Sequence, residues 1–494
     1  MPQIINTNMM SLNSQRHLNA TQSALSQAME RLSSGKRINS AKDDAAGLGI
    51  SERMTSQING MNQAIRNARD GISLGQTAEG ALSTMNDMLQ RVRVLAVQSS
   101  NATNSPADRQ ALQDEVGQLV SELNRIAEVT TFNGQNLLNG TMGTQYFQVG
   151  PNANEVISAN GTNFMTTTYG NYRRENDTPA PMDVNATPKT TGSVNITGYL
   201  GKATVTTTPA DTARTIAEKV NLTSGDTGVN ATAKTTAFIS DLDNDGTYAF
   251  KLKSNNAQDV IVSFAIGKDN TLGDAYAAAV NSINAQAAKT GVTAEYYIAD
   301  DAGTPKHGIR LTNPNGNDIN LVTDVMTGAP ELASFKNDGT IMGSFPIPAA
   351  TNTFGATAFG KVTIDSPNSF VVQKGTPDPL EYPMDGTGVL MPVSTMDVST
   401  FDEAQKTLAI VDSALVHIVG EMARYGALQA RFESTISNLE VTAENTTNSR
   451  SRITDADYAQ ETAALSRASI LQQAGTSMLA QANQIPQTVL GLLQ

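Results

Sequence analysis

Leu408, Val411, Leu415, Ile418, Met422, Tyr425, Gln429, Phe432, Ile436 and Leu439 fall at alternating spacings of three and four. That rhythm is the seam of a long α-helix packed against other helices, and only Gln429 interrupts its apolar character. Just upstream, Thr400-Phe401-Asp402-Glu403 reads as a capping box, with an acid three residues after the capping hydroxyl. The spacing predicts a helix over about 401–450, roughly 75 Å long at 1.5 Å per residue. A helix of that length cannot bury its own stripe, so the partners must be found elsewhere.

They lie near the other end of the chain. Ile58, Met61, Ile65, Ala68 and Ile72 repeat the spacing, as do Leu82, Met85, Leu89, Val92 and Ala96, with a slip of phase near Gly75 of the kind a stammer makes. Leu112, Val116, Leu119, Leu123 and Ile126 form another run, opened by the cap-like Ser105-Pro106-Ala107-Asp108. Together these segments predict a three-helix rod. The extreme ends carry two further seams, one of Leu18, Leu25, Met29 and Leu32 ahead of the helix stop Gly35. In the other, Ala464, Ala468, Leu471, Gly475, Met478, Ala482, Ile485, Val489 and Leu492 hold a 4-3 alternation.

Two readings fit these terminal seams. They could close on each other as a hairpin poor in large side chains and marginal by itself, or other copies of the chain could complete them. From Ala459 to Gln494 only Glu461 and Arg467 are charged. That favours the second reading, because stacked identical copies bring like charges together.

The middle has another character. Of 18 prolines, only Pro2, Pro106, Pro151 and Pro486 lie outside residues 171–400, and no aromatic residue precedes Phe132 or follows Tyr458. Residues 176–400 therefore read as a turn-rich, β-rich or α+β insert of two subdomains. Two stretches within it match. The helix-like Asp211-Thr212-Ala213-Arg214-Thr215-Ile216-Ala217-Glu218-Lys219-Val220-Asn221 precedes Gly228-Val229-Asn230-Ala231, and Leu272-Gly273-Asp274-Ala275-Tyr276-Ala277-Ala278-Ala279-Val280-Asn281 precedes Gly291-Val292-Thr293-Ala294. The pairing predicts a duplicated small α/β unit. The fold class is thus mainly α, a discontinuous coiled-coil rod built from both chain ends with this insert between them.

Composition and motifs narrow the function. Charged residues make up 16% of the 494, against roughly 25% in average proteins, and the net charge is −13. Nucleic acid is an unsuitable partner for such a surface, and no stretch is apolar for long enough to span a membrane. With no cysteine, thiol chemistry and disulfides are excluded. The start, Met1-Pro2-Gln3-Ile4-Ile5-Asn6, lacks the basic and apolar regions of a signal peptide. Asp241-Leu242-Asp243-Asn244-Asp245-Gly246 copies half of a calcium loop, but Leu252 stands where the bidentate Glu should be, so an acidic β-turn is the better reading. His17, His307 and His417 have no ligand spacing. Neither a catalytic constellation, a metal site nor a cofactor site is expected.

Ile5-Asn6-Thr7-Asn8 with Ser11-Leu12-Asn13, then Leu32-Ser33-Ser34-Gly35-Lys36-Arg37-Ile38-Asn39-Ser40-Ala41-Lys42-Asp43-Asp44-Ala45-Ala46-Gly47-Leu48, and Ile470-Leu471-Gln472-Gln473-Ala474-Gly475-Thr476 through Leu493 stand out at the two ends. These long stretches resemble bacterial flagellins of the β- and γ-proteobacterial type. The resemblance implies a structural subunit, not an enzyme, that polymerises into the extracellular flagellar filament for swimming motility. A hook–filament junction (hook-associated) protein is the alternative. It further implies a terminal pair, 1–42 and 455–494, forming the inner tube. Residues 43–175 and 401–454 would form the rod with a small β-hairpin region, and 176–400 the surface-exposed insert. Implied partners are many copies of the same chain, the flagellar export apparatus and a flagellin chaperone, and the filament cap and hook-associated junction proteins. Gln90-Arg91-Val92-Arg93-Val94-Leu95-Ala96-Val97-Gln98 resembles the segment read by vertebrate Toll-like flagellin receptors. Arg91, Leu95 and Gln98 would share one helix face, with Glu115 as the acidic contact. Val94 and Leu119 depart from the family pattern, which commonly has an acid at the first and in some members Arg at the second.

Overall fold

The computed structural model describes residues 7–176, 182–183, 191–301, 303–325, 327–335, 340–347, 355–375 and 385–492. Helix α1 (Met9–Ser34) starts where the Asn8 side chain accepts the Ser11 N–H at 3.1 Å, and stops at Gly35, whose left-handed φ of 69° turns its N–H onto Arg31 O. Helix α2 (Ala45–Ser99) follows, then α3 (Pro106–Val129), which opens on the reciprocal Ser105–Asp108 capping box. Short helices α4 (Ala213–Leu222), α5 (Ser224–Thr227), α6 (Ala277–Asn284) and α7 (Ala287–Thr290) punctuate the insert. Helix α8 (Phe401–Thr454) and helix α9 (Tyr458–Leu492) close the chain. Helices from both ends pack together, as the seams require, and the middle of the chain is β-rich.

The chain forms two compact units, and α2 and α8 contribute to both. The first comprises Met1–Glu79, Met142–Gly161 and Ala423–Gln494. In it, Ile58, Met61, Ala64 and Ile65 of α2 pack on Leu439 and Ala443 of α8. Phe432 is fully buried with Ala68, Val149 and Ile157, under the antiparallel hairpin of Thr144–Gln148 and Val156–Asn160. The two breaks in the seams meet here. A Cβ on Gly71 would sit 2.6 Å from the Phe432 ring, and one on Gly75 would sit 3.2 Å from Gln429 Cγ. The phase slip of α2 thus makes room for the polar residue of α8, whose amide donates to Glu79 at 2.8 Å.

The second unit comprises Gly80–Thr141 and Thr162–Met422. Leu82, Met85, Leu89 and Val92 of α2, Val116 and Leu123 of α3, and Ile410, Val411, Ala414 and Ile418 of α8 are all buried there. The insert adds a five-stranded sheet with central strands Thr247–Lys253 and Ile319–Val325, and a four-stranded one around Val371–Lys374 and Gly192–Thr197. The largest sheet runs in the order Thr293–Asp301, Thr304–Asn313, Asn230–Ser240, Lys361–Ser366, Gly170–Glu175, Val389–Pro392.

That order places Gly170–Glu175, expected in the rod, between two insert strands, and the sheet is locked to α8. Buried Asn171 donates to Asp365 at 2.5 Å and accepts from Ser413 of α8 at 3.1 Å, while Arg173 grips Asp365 with two hydrogen bonds. The compact units therefore do not divide at the residue numbers that composition suggests. Proline and charge mark where the sequence changes style, whereas hydrogen bonds and packing decide which residues share a compact unit.

The two matched insert stretches share their local geometry. Gly228 and Gly291 both end a helix in the left-handed region, with φ of 72° and 69°. Asn221 donates to Ala231 O at 2.8 Å and accepts its N–H at 2.7 Å, and Asn284 makes the same pair with Ala294 at 2.9 and 2.7 Å. The second helix extends to Asn284 rather than ending at Asn281, and its first turn, Gly273–Tyr276, is 3-10. The half calcium loop is a turn in which Asp241 and Asp245 adopt φ of 55° and 54°. Asp241 pairs with Lys306 at 3.2 Å, and Asn244 accepts the Asn270 N–H.

Candidate assembly surface

Helices α1 and α9 run antiparallel against each other. Asn8 donates to Ala482 O at 2.9 Å, Ser11 Oγ to Asn483 at 2.8 Å, Gln472 to Gln22 at 2.6 Å, and Arg31 pairs with Glu461 at 3.1 Å. The hairpin that the terminal seams allowed does form. What it buries is small: Ser11 and Ala28 on α1, Ala468 and Ala482 on α9. Leu18, Leu25 and Leu32 are half-buried, Leu18 lying 3.0 Å from where a Cβ on Gly475 would be. Met29, Leu471 and Met478 stay 49%, 52% and 63% exposed. Residues 485–492 continue α9, but the side chains of Ile485, Val489 and Leu492 lie outside the described residues. Sequence reasoning missed Met9, Met10 and Leu12, which are also exposed on α1. Their signal was the i, i+3 spacing of Met9 and Leu12.

Where the hairpin joins α2 and α8, the signature residues 35–44 explain themselves. The N–H of Arg37 donates to Thr454 O at 2.7 Å, and that of Ala456 to Gly35 O at 3.0 Å, so the two connections hold each other. The Asp43 carboxylate accepts the N–H groups of Ser40 and Asn39 and the Ser40 hydroxyl, and these bonds hold its pKa below the usual aspartate value. Asp44 accepts the Gly47 N–H at 2.8 Å. Asp43 and Asp44 thus order the connection, and the Arg37 guanidinium adds a bond to Ile453 O at 2.7 Å.

Comparison with known proteins decides what such a surface belongs to. Residues 5–142 match the bacterial flagellin N-terminal helical region, and residues 408–493 match the bacterial flagellin C-terminal helical region. B-type flagellin of Pseudomonas aeruginosa is 39% identical over 99% of each chain. The chain belongs to the bacterial flagellin family.

The flagellin of Salmonella typhimurium is likewise 37% identical across 100% of both chains. A solved structure of flagellar hook-associated protein-3 from Legionella pneumophila is much more distant. It has 16% identity and a TM-score of 0.34, with coverage of 81% of this chain and 98% of that one. Full-length likeness to filament flagellins makes this chain a subunit of the flagellar filament and sets aside the junction-protein alternative.

The residues of this flagellin that resemble a receptor contact are not all on one surface. Arg91 and Gln98 are exposed, and Arg91 reaches half-exposed Glu115 of α3 at 2.7 Å. Leu95 is fully buried and offers no outward contact. This stretch of α2 reaches α3 through Arg91–Glu115 and α8 through Arg93–Asp412, and its buried stripe is wider than the a and d positions, so both Leu95 and Ala96 point inward. Val94 and Val97 take the outer face. Among the described residues no group of three or more His, Asp or Glu is placed to hold a metal. His307 faces the Tyr296 hydroxyl and His417 the Pro367 carbonyl, each at 2.5 Å.

Proposed function

We propose that this flagellin is exported to build the extracellular filament for swimming, and that the paired terminal segments, 1–42 and 455–494, line the filament's inner tube. The observation that carries the reading is the exposure of Met29, Leu471 and Met478 on a hairpin whose buried residues, Ser11, Ala28, Ala468 and Ala482, are all small. A side chain that is half in water on a monomer has apolar area left to bury against a neighbouring copy. The assembly seam is therefore Leu18, Leu25, Met29, Leu32, Leu471, Met478, Ile485, Val489 and Leu492, with Met9, Met10 and Leu12 added by their exposure. Residues 43–175 and 401–454 form the next layer and 176–400 the outer surface. The export apparatus, a chaperone, the filament cap and the junction proteins are its partners, and it performs no catalysis. Removal of residues 459–494 tests the assembly claim. The truncated chain should remain a folded monomer and form no filaments by electron microscopy; filaments under conditions that assemble the full chain would sink it.

A second reading rests on Arg91, Gln98 and Glu115, which present a long cation and two polar groups beside exposed Val94 and Val97. That surface suits contact with a vertebrate Toll-like flagellin receptor, with Leu95 supporting it from beneath. Unchanged receptor activation by Arg91→Ala monomer over a full dose range would remove this reading.

A further inference from the structure

The chain contains five Asn-Gly pairs, at Asn59, Asn133, Asn139, Asn160 and Asn315. In such a pair the glycine amide nitrogen can reach the preceding side chain unhindered, since no Cβ blocks it. The reaction needs two things locally: a side chain free to rotate, and a glycine N–H not already committed to a hydrogen bond. The fold sorts the five by these criteria.

Asn59 lies inside α2, where the helix ladder engages the Gly60 amide. Asn160 ends a paired strand, and the Gly161 N–H donates to Gly143 O at 2.8 Å. The Gly316 N–H donates to Asn313 O at 3.3 Å, and a Cβ there would lie 2.4 Å from Ala233, so the Asn315 turn is packed in place. Asn139 holds its side-chain oxygen on the Thr141 N–H at 3.1 Å and the Thr141 hydroxyl at 2.6 Å.

Asn133 differs from all four. It sits at the tip of the two-residue hairpin between Thr131–Phe132 and Gln135–Asn136, with φ of 49°, followed by Gly134 with φ of 80°. Both residues are exposed, and the space beside Gly134 is open. Among the described residues, neither the Asn133 side chain nor the Gly134 N–H makes a hydrogen bond. The sequence that favours the primed hairpin turn is therefore also the one left chemically unguarded.

We propose that Asn133-Gly134 is this chain's site of spontaneous deamidation, with water as the co-reactant. The deprotonated Gly134 nitrogen attacks Asn133 Cγ; a C–N bond forms and the side-chain nitrogen leaves as ammonia. The resulting five-membered succinimide is opened by water at either carbonyl, giving aspartate or isoaspartate. One water enters and one ammonia departs, without any change of oxidation state. Each event adds one negative charge at an exposed turn, and the isoaspartate product lengthens the backbone of a two-residue loop whose second strand, Gln135–Asn136, leads into fully buried Leu137 and Leu138.

The test uses the wild-type monomer, incubated in mildly alkaline buffer both folded and in urea, with peptides covering the five pairs followed by mass spectrometry. In urea the five should react at similar rates. In the folded protein Asn133 should keep its unfolded-chain rate to within a few-fold, while Asn59, Asn160 and Asn315 slow by about tenfold or more, equivalent to about 1.4 kcal/mol of barrier. Equal protection of Asn133 and Asn160 in the folded protein would overturn the assignment, since the rigid turn would then be a guard. Faster reaction at Asn139 than at Asn133 would overturn it too, by removing the role given to the Thr141 hydrogen bonds.

Discussion

Helices α1 and α9 bury Ser11, Ala28, Ala468 and Ala482, whereas the insert around the second repeat buries Tyr248, Phe250, Leu252, Phe264 and Tyr276. The two regions use the same means of folding, an apolar face at the period of its element, yet they differ in the size of what they hide. Burial stabilises in proportion to apolar area, at about 25 cal/mol per Å². The insert therefore carries the means of its own stability, whereas the terminal hairpin leaves Met29, Leu471 and Met478 exposed. Self-sufficiency in this chain is read from side-chain volume at the inner positions more than from the regularity of the pattern, which is better in α9 than anywhere in the insert.

The sharpest way to break that contrast is at Phe250, packed among Tyr248, Phe264 and the strands beside them. Phe250→Ala should cost about 3–5 kcal/mol, read as loss of the insert's unfolding transition in urea. A change below about 1 kcal/mol would mean that the aromatic cluster is not a core. A smaller effect is expected at Arg91, whose ion pair with Glu115 is half in solvent. Arg91→Ala should lower monomer stability by about 0.2–1 kcal/mol, while receptor activation should fall about tenfold if that surface is a recognition site. The smallest shift belongs to Met478, 63% exposed in the monomer. Met478→Ala should move monomer stability by no more than about 0.5 kcal/mol and yet raise the protein concentration needed to form filaments. Should that concentration stay fixed while the monomer melts earlier, the exposed terminal face would be an ordinary helix surface.

Much of this was legible beforehand, for reasons that lie in particular residues. The 3-4 runs gave α2, α3 and α8 because a long helix must repeat its apolar face to stay packed, and Ser105, Asp108 and Gly35 marked ends because backbone groups there need partners. The repeat in the insert could be seen from Gly228-Val229 and Gly291-Val292. Its second anchor could not, since Asn284 is recognisable only once its two bonds to Ala294 are known. The place of Gly170–Glu175 in the large sheet escaped because its neighbours, Lys361–Ser366 and Val389–Pro392, are remote in sequence and no local spacing encodes such a pairing. Leu95 was misplaced because a heptad seam describes contact with one partner, and this stretch of α2 packs among more than one.

The bond from Asn8 to Ala482 joins residues 474 apart in the chain. For a polypeptide that emerges with Asn8 leading, α1 has no internal partner until α9 has followed it out. Loop closure itself is a weak deterrent, since its entropy grows only logarithmically with length. Order of emergence is the stronger one: the contact that completes the terminal hairpin is necessarily among the last to become available. The long detour between the two terminal helices thus makes their pairing wait until nearly the whole chain is present.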